Sequence, residues 1–296
     1  MTLEIRNMPG PLGVEALGVD LSQPPDDATF AALKSAFEER SVLVIRDQRV
    51  APEHHIAFSR RFGELEVHVQ KTFLLAGHPE ILIVSNVMGE DGKPIGLTDA
   101  GRYWHSDLSY KAEPSLASLL HARELPRKGG DTLFISMHAA YEALSEDVRR
   151  RIDGLSAVHS YAMRNAAQNA KNPLRPALDA DMLAQVPEVA HPMVRVHPAT
   201  GRKALFVSEG FTTRIVGLPE AESRELLDHL FRHMIDERFM YRHLWRPDDI
   251  VMWDNRATIH HATPLEEGQR RIMYRTTIRG DVPRGPGATA EAPRAA

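Results

Sequence analysis

The residues best placed to do chemistry sit together in Tyr103-Trp104-His105-Ser106-Asp107-Leu108-Ser109-Tyr110. On an extended backbone, residues two apart point to one face, so His105 and Asp107 offer an imidazole nitrogen and a carboxylate oxygen side by side. One neutral and one anionic ligand suit divalent iron. A second histidine from elsewhere in the chain would complete a two-His-one-carboxylate set, which leaves three cis positions of an octahedral Fe(II) open for reaction. Taken alone the pair reads equally as a capped turn or a surface pair, because in a chain with 15 histidines a His-x-Asp arises by chance.

A partner for that half-site occurs late in the chain. After the apolar run Ile250-Val-Met-Trp253 comes Asp254-Asn255-Arg256-Ala257-Thr258-Ile259-His260-His261, which presents a histidine just past a strand. Adjacent side chains of a strand face opposite ways, so only one of His260 and His261 can reach a shared metal. Trp253 is most simply core. The chain has no cysteine, which removes thiolate metal sites, iron-sulfur clusters, disulfides and cysteine nucleophiles together. Any metal must therefore sit on histidine and carboxylate.

Bulk properties narrow the class further. A hydrophobic share of 43% with 26% charged residues is that of a globular chain rather than a disordered one. Net charge is -4 and the 36 basic residues are scattered among 40 acidic ones, so the footprint of a nucleic-acid binder is missing. The start, MTLEIRNMPG, has no apolar stretch of signal-peptide length, and no run of about 18 apolar residues occurs. These features predict a cytoplasmic protein without a membrane role.

The elements that must position the site are short. Residues 3–22 alternate around Gly10, Gly13 and Gly18 as small strands, and Asp26 or Asp27 caps a helix predicted over 28–39. Strands are predicted at 41–46, 80–85, 115–122 and from Gly129-Gly130 to Ile135, with a helix opening at Pro52. The double glycine allows a close backbone approach. A helix follows over 139–152, and a hairpin joins 191–196 to 203–207 around Pro198-Ala-Thr-Gly201. Residues 220–234 form an amphipathic helix, with strands at 239–245 and 250–253. Residues 163–190 mix Asn, Ala, Pro and charge with little periodicity, the pattern of a lid or of an idle surface excursion. The expectation is a mainly β fold with flanking helices, a jelly roll, as one domain over 1–280 followed by a disordered tail at 281–296.

Four segments in this order carry a family resemblance: WHSD, GGDTLF, WDNRATIHHA and RRIMYR. With SVLVIRDQ, IAFSRRFGELE, FMYRHLW and the stretch HPMVRVHPATGRKALFVSEGFTTRIVGL, the chain resembles the Fe(II)/2-oxoglutarate dioxygenases of the taurine and chlorophenoxyacetate dioxygenase (TauD/TfdA) family along nearly its whole length. The resemblance implies a double-stranded β-helix of cupin type. It places the metal ligands on His105, Asp107 and His260, leaving His261 spare. It assigns Arg271, eleven residues beyond His260, to the far carboxylate of 2-oxoglutarate, with Thr132 as the hydrogen-bonding companion. A planar guanidinium and a hydroxyl suit that carboxylate. Arg275, about 13 Å along the same strand face, would take the anionic head of the substrate.

The activity implied is hydroxylation of a small anionic organic molecule, with Fe(II), 2-oxoglutarate and O2 consumed or used and succinate and CO2 released. Hydroxylation beside a sulfonate, sulfate-ester or aryl-ether oxygen would let the product break apart. Asp107 stands where halogenating relatives carry a small residue, which disfavours halogenation. His68 matches a substrate-contacting histidine of the taurine enzymes, but Lys71 replaces their tyrosine and Ala100-Gly-Arg-Tyr103 replaces their asparagine-rich lead-in. Both departures weaken a taurine assignment. SNVMGEDGK, FMYRHLW and VMWDNR look nearer to the chlorophenoxyacetate branch, so that Arg275 with His68 or Lys71 would meet the carboxylate of an aryloxyalkanoate-like substrate or a sulfonate or sulfate ester. A surface position is the plain alternative for Lys71. The competing class is a cupin-like metal-binding protein without oxygenase activity, which would have no need of Arg271. Members of the family form dimers or tetramers, so a homo-oligomer is expected.

Overall fold

The computed structural model describes residues 2–98, 100–171 and 178–288. In chain order these form β1 (Glu4–Asn7), β2 (Val14–Leu17), α1 (Asp27–Arg40), β3 (Val42–Ile45) and α2 (Pro52–Arg60). A 3-10 turn at Lys71–Phe73 leads into β4 (Leu74–Leu75) and β5 (His78–Ser85). The middle holds β6 (Ser115–Glu124), β7 (Thr132–Ser136), α3 (Met137–Glu142), α4 (Glu146–Ile152), β8 (Ser156–His159), α5 (Tyr161–Asn169) and α6 (Ala180–Ala184). The chain closes with β9 (Val189–Pro192), β10 (Val194–Val196), β11 (Lys203–Leu205), β12 (Thr212–Ile215), α7 (Glu220–Met234), β13 (Met240–His243), β14 (Ile250–Asp254), β15 (Thr258–Ala262) and β16 (Ile272–Arg279).

Eight strands make the major sheet in the order β1-β2-β3-β14-β6-β16-β5-β4, in which only β2 and β3 run parallel. Opposite it lie β13-β7-β15, the sheet β12-β8-β9 and the hairpin β10-β11. Alternation along each strand decides what it covers. On β14, Ile250 and Met252 face α1 and α2, while Val251 and Trp253 face inward with Val42, Val44, Leu82, Leu120 and Met273. Phe134 of β7 enters that inner layer from the other sheet, and its neighbour Ile135 turns out toward Leu226 and Leu230 of α7. The result is a mainly β sandwich with helices on both outer faces, as expected. Each fully buried Leu, Phe or Met in these layers contributes about 1.5–3 kcal/mol, so no single helix carries the fold.

Local chemistry sets the ends of elements. Asp26 caps α1 by accepting from Thr29 N, and Ser41 stops it in the left-handed region at φ 63°. The helix expected over 139–152 is two: Ser136 caps α3, and Ser145 accepts from Val148 N to start α4. A second cap inside an apolar pattern ends one helix and begins another. Gly129 and Gly130 both have positive φ, and a Cβ on Gly129 would stand 2.6 Å from Pro264 O, so the double glycine does allow the close approach read from sequence. Part of the expected lid is helical, as α5 and α6, and residues 172–177 of it lie outside the described residues. Of the expected tail, Asp281 pairs with the buried Arg195 at 3.0 Å and Arg284 O accepts from Val196 N, while 289–296 lie outside the described residues. Among the described residues no helix is long and apolar enough to cross a membrane.

Four histidines are built into the interior without charge. Burial pushes His55 and His159 down to about 3 and His121 and His138 down to about 4. In the unfolded chain each titrates near the ordinary 6.5, so below that pH the unfolded state binds protons that the native state refuses. Stability is then complete above pH 6.5 and falls as the pH drops toward 4, by roughly 1.4 kcal/mol per pH unit for each imidazole. Urea midpoints measured from pH 7.5 to pH 4.5 are expected to show this loss, and a flat profile would contradict it.

Candidate active site

His105 and His260 are joined through their backbones before their side chains meet. His105 N donates to His260 O at 3.2 Å and His260 N donates to His105 O at 2.8 Å, an isolated antiparallel bridge that brings the ring centroids to 4.1 Å. His260 belongs to β15, whose register sets it opposite Phe134 of β7. Beyond His105 the chain is not the extended strand expected from the His-x-Asp spacing. It turns, with Leu108 at φ 56°, and Asp107 is aimed by a turn locked to the β14–β15 connection. Asp107 N donates to Asn255 Oδ1 at 3.0 Å and Ser106 Oγ donates to Asn255 O at 2.7 Å.

One ligand atom from each of His105, Asp107 and His260 lies within 4.8 Å of the others, and all three residues are buried. His105 Nε2 is 3.6 Å from Asp107 Oδ1 and His260 Nε2 is 3.8 Å from Asp107 Oδ2. His105 Nδ1 stands 2.8 Å from Tyr103 O. Donation of the Nδ1 hydrogen to that carbonyl frees the Nε2 lone pair for the site. Burial, with His105 alongside, holds His260 well below the usual histidine range, so its imidazole is neutral. For Asp107 burial alone would raise the pKa, but the adjacent Arg275 cation holds it well below the usual carboxylate range. Two imidazoles and one carboxylate on a dry wall fit an iron-type divalent cation. The neighbouring His261 is only partly buried, and its ring lies 5.3 Å from that of Trp104.

Arg271, Met273 and Arg275 fall on the inward face at two-residue steps, so both arginines reach the interior. A cavity is lined by His105, His260, Thr132, Trp253, Arg271 and Arg275. Burial, then the nearby Arg102, lowers Arg271 to about 10, which leaves it a cation at neutral pH. Its Nε and Nη2 are buried without a hydrogen-bond partner among the described residues. Those two atoms form the side-on fork that a carboxylate fits. Thr132 Oγ1 accepts from Trp245 Nε1 at 3.0 Å, so its own hydrogen is left to donate into the cavity. Asn86 Oδ1 accepts from Arg271 N at 2.9 Å and fixes the chain where the arginine enters.

Arg275 faces two ways. Its Nη1 donates to Asp107 Oδ1 at 3.0 Å, its Nε is buried without a partner among the described residues, and it also lines a second chamber. Aromatic rings wall that chamber. Tyr110 stacks on Tyr161 at 4.5 Å and lies 5.0 Å from Phe211, with Tyr103 5.9 Å from Phe211. His68 lines it too. Lys71 does not: it starts the 3-10 turn, exposed and outside the lining residues. Arg164 of α5 covers Tyr103, its guanidinium 3.4 Å from the ring centroid.

The structure therefore brings together His105, Asp107, His260, Thr132, Arg271, Arg275 and His68. Trp253 is core as expected, at 1% exposure, yet its ring also lies 4.7 Å from that of His260. Sequence reading missed Ser118, Asn255, Trp245 and the aromatic wall. Ser118 carried a usable signal, a small polar residue inside the apolar run SLASLLH, whereas the wall draws on three distant segments that no local pattern links.

Residues 4–277 match the family model described as taurine catabolism dioxygenase TauD, TfdA family. The pentalenolactone F synthase of Streptomyces arenae is 35% identical over 96% of this chain and 98% of its own length. The alpha-ketoglutarate-dependent 2,4-dichlorophenoxyacetate dioxygenase of Cupriavidus pinatubonensis is 34% identical over 91% of this chain and 94% of its own. The crystal structure of a taurine dioxygenase from Burkholderia xenovorans superposes with a TM-score of 0.80 at 32% identity, covering 98% of this chain and 96% of that one.

Metal binding to the native state raises its melting temperature by mass action. Mn(II) is expected to stabilise the wild type and His261→Ala alike, and to leave His260→Ala unshifted in a thermal melt. Equal shifts in the two variants would remove His260 from the ligand set.

Proposed function

This chain belongs to the TauD/TfdA family of Fe(II)- and 2-oxoglutarate-dependent dioxygenases, and from that premise we propose that it hydroxylates an aryloxyalkanoate-like carboxylate. The protein is an oxidoreductase that uses Fe(II), 2-oxoglutarate and O2. Iron and 2-oxoglutarate supply the oxidising chemistry when bound, with decarboxylation of the cosubstrate to succinate. The protein's share is binding, orientation and exclusion of water.

In this proposal His105, Asp107 and His260 hold the metal, and Arg271 takes the far carboxylate of 2-oxoglutarate through its unpartnered Nε and Nη2. Thr132 donates to the same carboxylate, because Trp245 already fills an acceptor position on its hydroxyl. A dicarboxylate suits Arg271 because a buried cation without an anion is costly. Arg275 takes the substrate anion with its free Nε, and His68 stands in the same chamber.

The observation that carries the substrate reading is the pairing of one cation with a wall of four aromatic rings. Tyr103, Tyr110, Tyr161 and Phe211 offer edges and faces to an aryl ring, and such contacts add to what burial alone supplies. A short aminoalkylsulfonate would leave those rings uncovered. Alkylsulfonates and sulfate esters share the anion chemistry and are the second class to try. The lid reading takes a reduced form: α5 closes one side of the chamber, supported by Tyr161 in its wall and Arg164 over Tyr103. A homo-oligomer belongs to the same proposal and is read by light scattering.

Two outcomes test it. Succinate formation by iron-loaded protein is expected to rise most with aryloxyalkanoates in a panel that includes alkylsulfonates and alkyl sulfates, and to lose that stimulation in Arg275→Ala. Greater stimulation by sulfonates would sink the aryloxy reading. Thr132→Val removes one hydrogen bond to a charged group, about 1.5–3 kcal/mol, so the Kd for 2-oxoglutarate is expected to rise by roughly tenfold to a hundredfold in calorimetry. An unchanged Kd would take Thr132 out of the cosubstrate site.

A further inference from the structure

Behind the carboxylate of Asp107 lies a closed set of hydrogen bonds that reaches no solvent. Ser118 Oγ donates to Asp107 Oδ2 at 2.7 Å. Asn255 Nδ2 donates to Ser118 Oγ at 3.2 Å and to Ser115 Oγ at 3.1 Å. Asn255 Oδ1 accepts from Asp107 N at 3.0 Å and from Trp253 Nε1 at 3.1 Å. Ser115 Oγ is anchored in turn, 3.0 Å from Ala117 O and 3.1 Å from Ile278 O. Ser118 is 0% exposed, and Asn255 and Ser115 are each 1% exposed.

The primary amide of Asn255 thus uses all its capacity, two donors and two acceptor positions. An aspartate at 255 would lose both donors, and an apolar residue would leave Asp107 N and Trp253 Nε1 without their acceptor and two serine oxygens without their donor. The arrangement fixes which way the Ser118 hydroxyl points: its oxygen accepts from Asn255, so its hydrogen goes to Asp107. The carboxylate is then held on one oxygen by Ser118 and on the other by Arg275. Its backbone is held by the same asparagine that holds Ser118. Rotation of the carboxylate about its last bond would break two hydrogen bonds in a site where nothing else can replace them.

We propose that Ser118 and Asn255 are positioning residues that set the orientation of Asp107 for the metal, so that their removal weakens metal binding well beyond its effect on folding. This rests on Asp107 being a metal ligand. Partners of ligating carboxylates usually change metal affinity by 10–100-fold when removed.

The test compares Mn(II) affinity, by calorimetry, with the urea midpoint of the metal-free protein. Ser118→Ala is expected to raise the Mn(II) Kd by about 10–100-fold, to change the shape of the Co(II) absorption spectrum, and to recover in Ser118→Thr, which restores the hydroxyl. Ser59→Ala is the control, since Ser59 is equally buried and bonds to His55 O and to Thr276, which faces α2 on the side of β16 opposite Arg275. An Mn(II) Kd in Ser118→Ala within twofold of wild type, or no weaker than in Ser59→Ala, overturns the proposal. Should Ser118→Ala fail to fold, Ser118→Cys keeps the volume with a weak donor and carries the same comparison. Asp107→Ala separates the two readings: if it leaves Mn(II) affinity unchanged, Asp107 is no ligand. If it abolishes binding while Ser118→Ala does nothing, only the positioning role fails.

Discussion

A single negative charge in a dry interior is the constraint from which the rest of this structure follows. An ionised carboxylate at 5% exposure is far too costly to bury alone. Asp107 is kept ionised by Arg275 on one oxygen and Ser118 on the other. These two partners come from β16 and β6, and the histidines it faces come from β15 and the loop before the site. The fold must therefore be closed correctly in several places before that charge is satisfied. Conversely, the charge discriminates against registers that slip by one residue, since a slip on β16 would turn Arg271 and Arg275 toward the helices.

Both arginines illustrate what an unsatisfied donor means inside a protein. Natural interiors seldom leave buried N–H groups unpaired. Here Arg271 has two and Arg275 has one, all facing the cavity between the sheets or the chamber beside it. Deficits placed on one side of a sheet, beside three converging ligand atoms, are sites shaped for anions rather than flaws of packing. The four buried neutral histidines stand apart from this group. His55 and His121 lie together beneath α2, His159 on β8 and His138 on α3 against Lys203 O, and burial holds all four uncharged.

Much of the site was legible because its residues sit at element ends with local signatures. The His-x-Asp pair, the double glycine before Thr132, the histidine after the Trp253 strand and the two arginines four apart all have short-range patterns, and the structure gathers them. The jelly roll was legible from short alternating strands, and the boundaries of α1, β3, α2 and α7 fall within a few residues of expectation. The backbone around Asp107 was not: a spacing of two suggested a strand, whereas tertiary bonds to Asn255 impose a turn. The division into α3 and α4 was signalled only by Ser145, one serine side chain that outweighs a continuous apolar pattern. Lys71 takes the surface position that was its plain alternative, exposed in the 3-10 turn and outside the chamber lining. The aromatic chamber was invisible because adjacency across 103, 110, 161 and 211 exists only after folding.

The backbone bridge between His105 and His260 has a consequence for how such a protein can change over generations. Two main-chain hydrogen bonds tie the ligand-bearing segments together regardless of which side chains surround them. The approach loop from Asn86 to Tyr103, which contributes Leu97, Ala100, Gly101 and Tyr103 to the chamber, is anchored at that bridge and at β5. Substitutions and length changes between those anchors can reshape what the chamber admits while the metal geometry is inherited intact. The architecture separates the part that must stay constant from the part that is free to diversify, which gives one scaffold room to acquire many substrates.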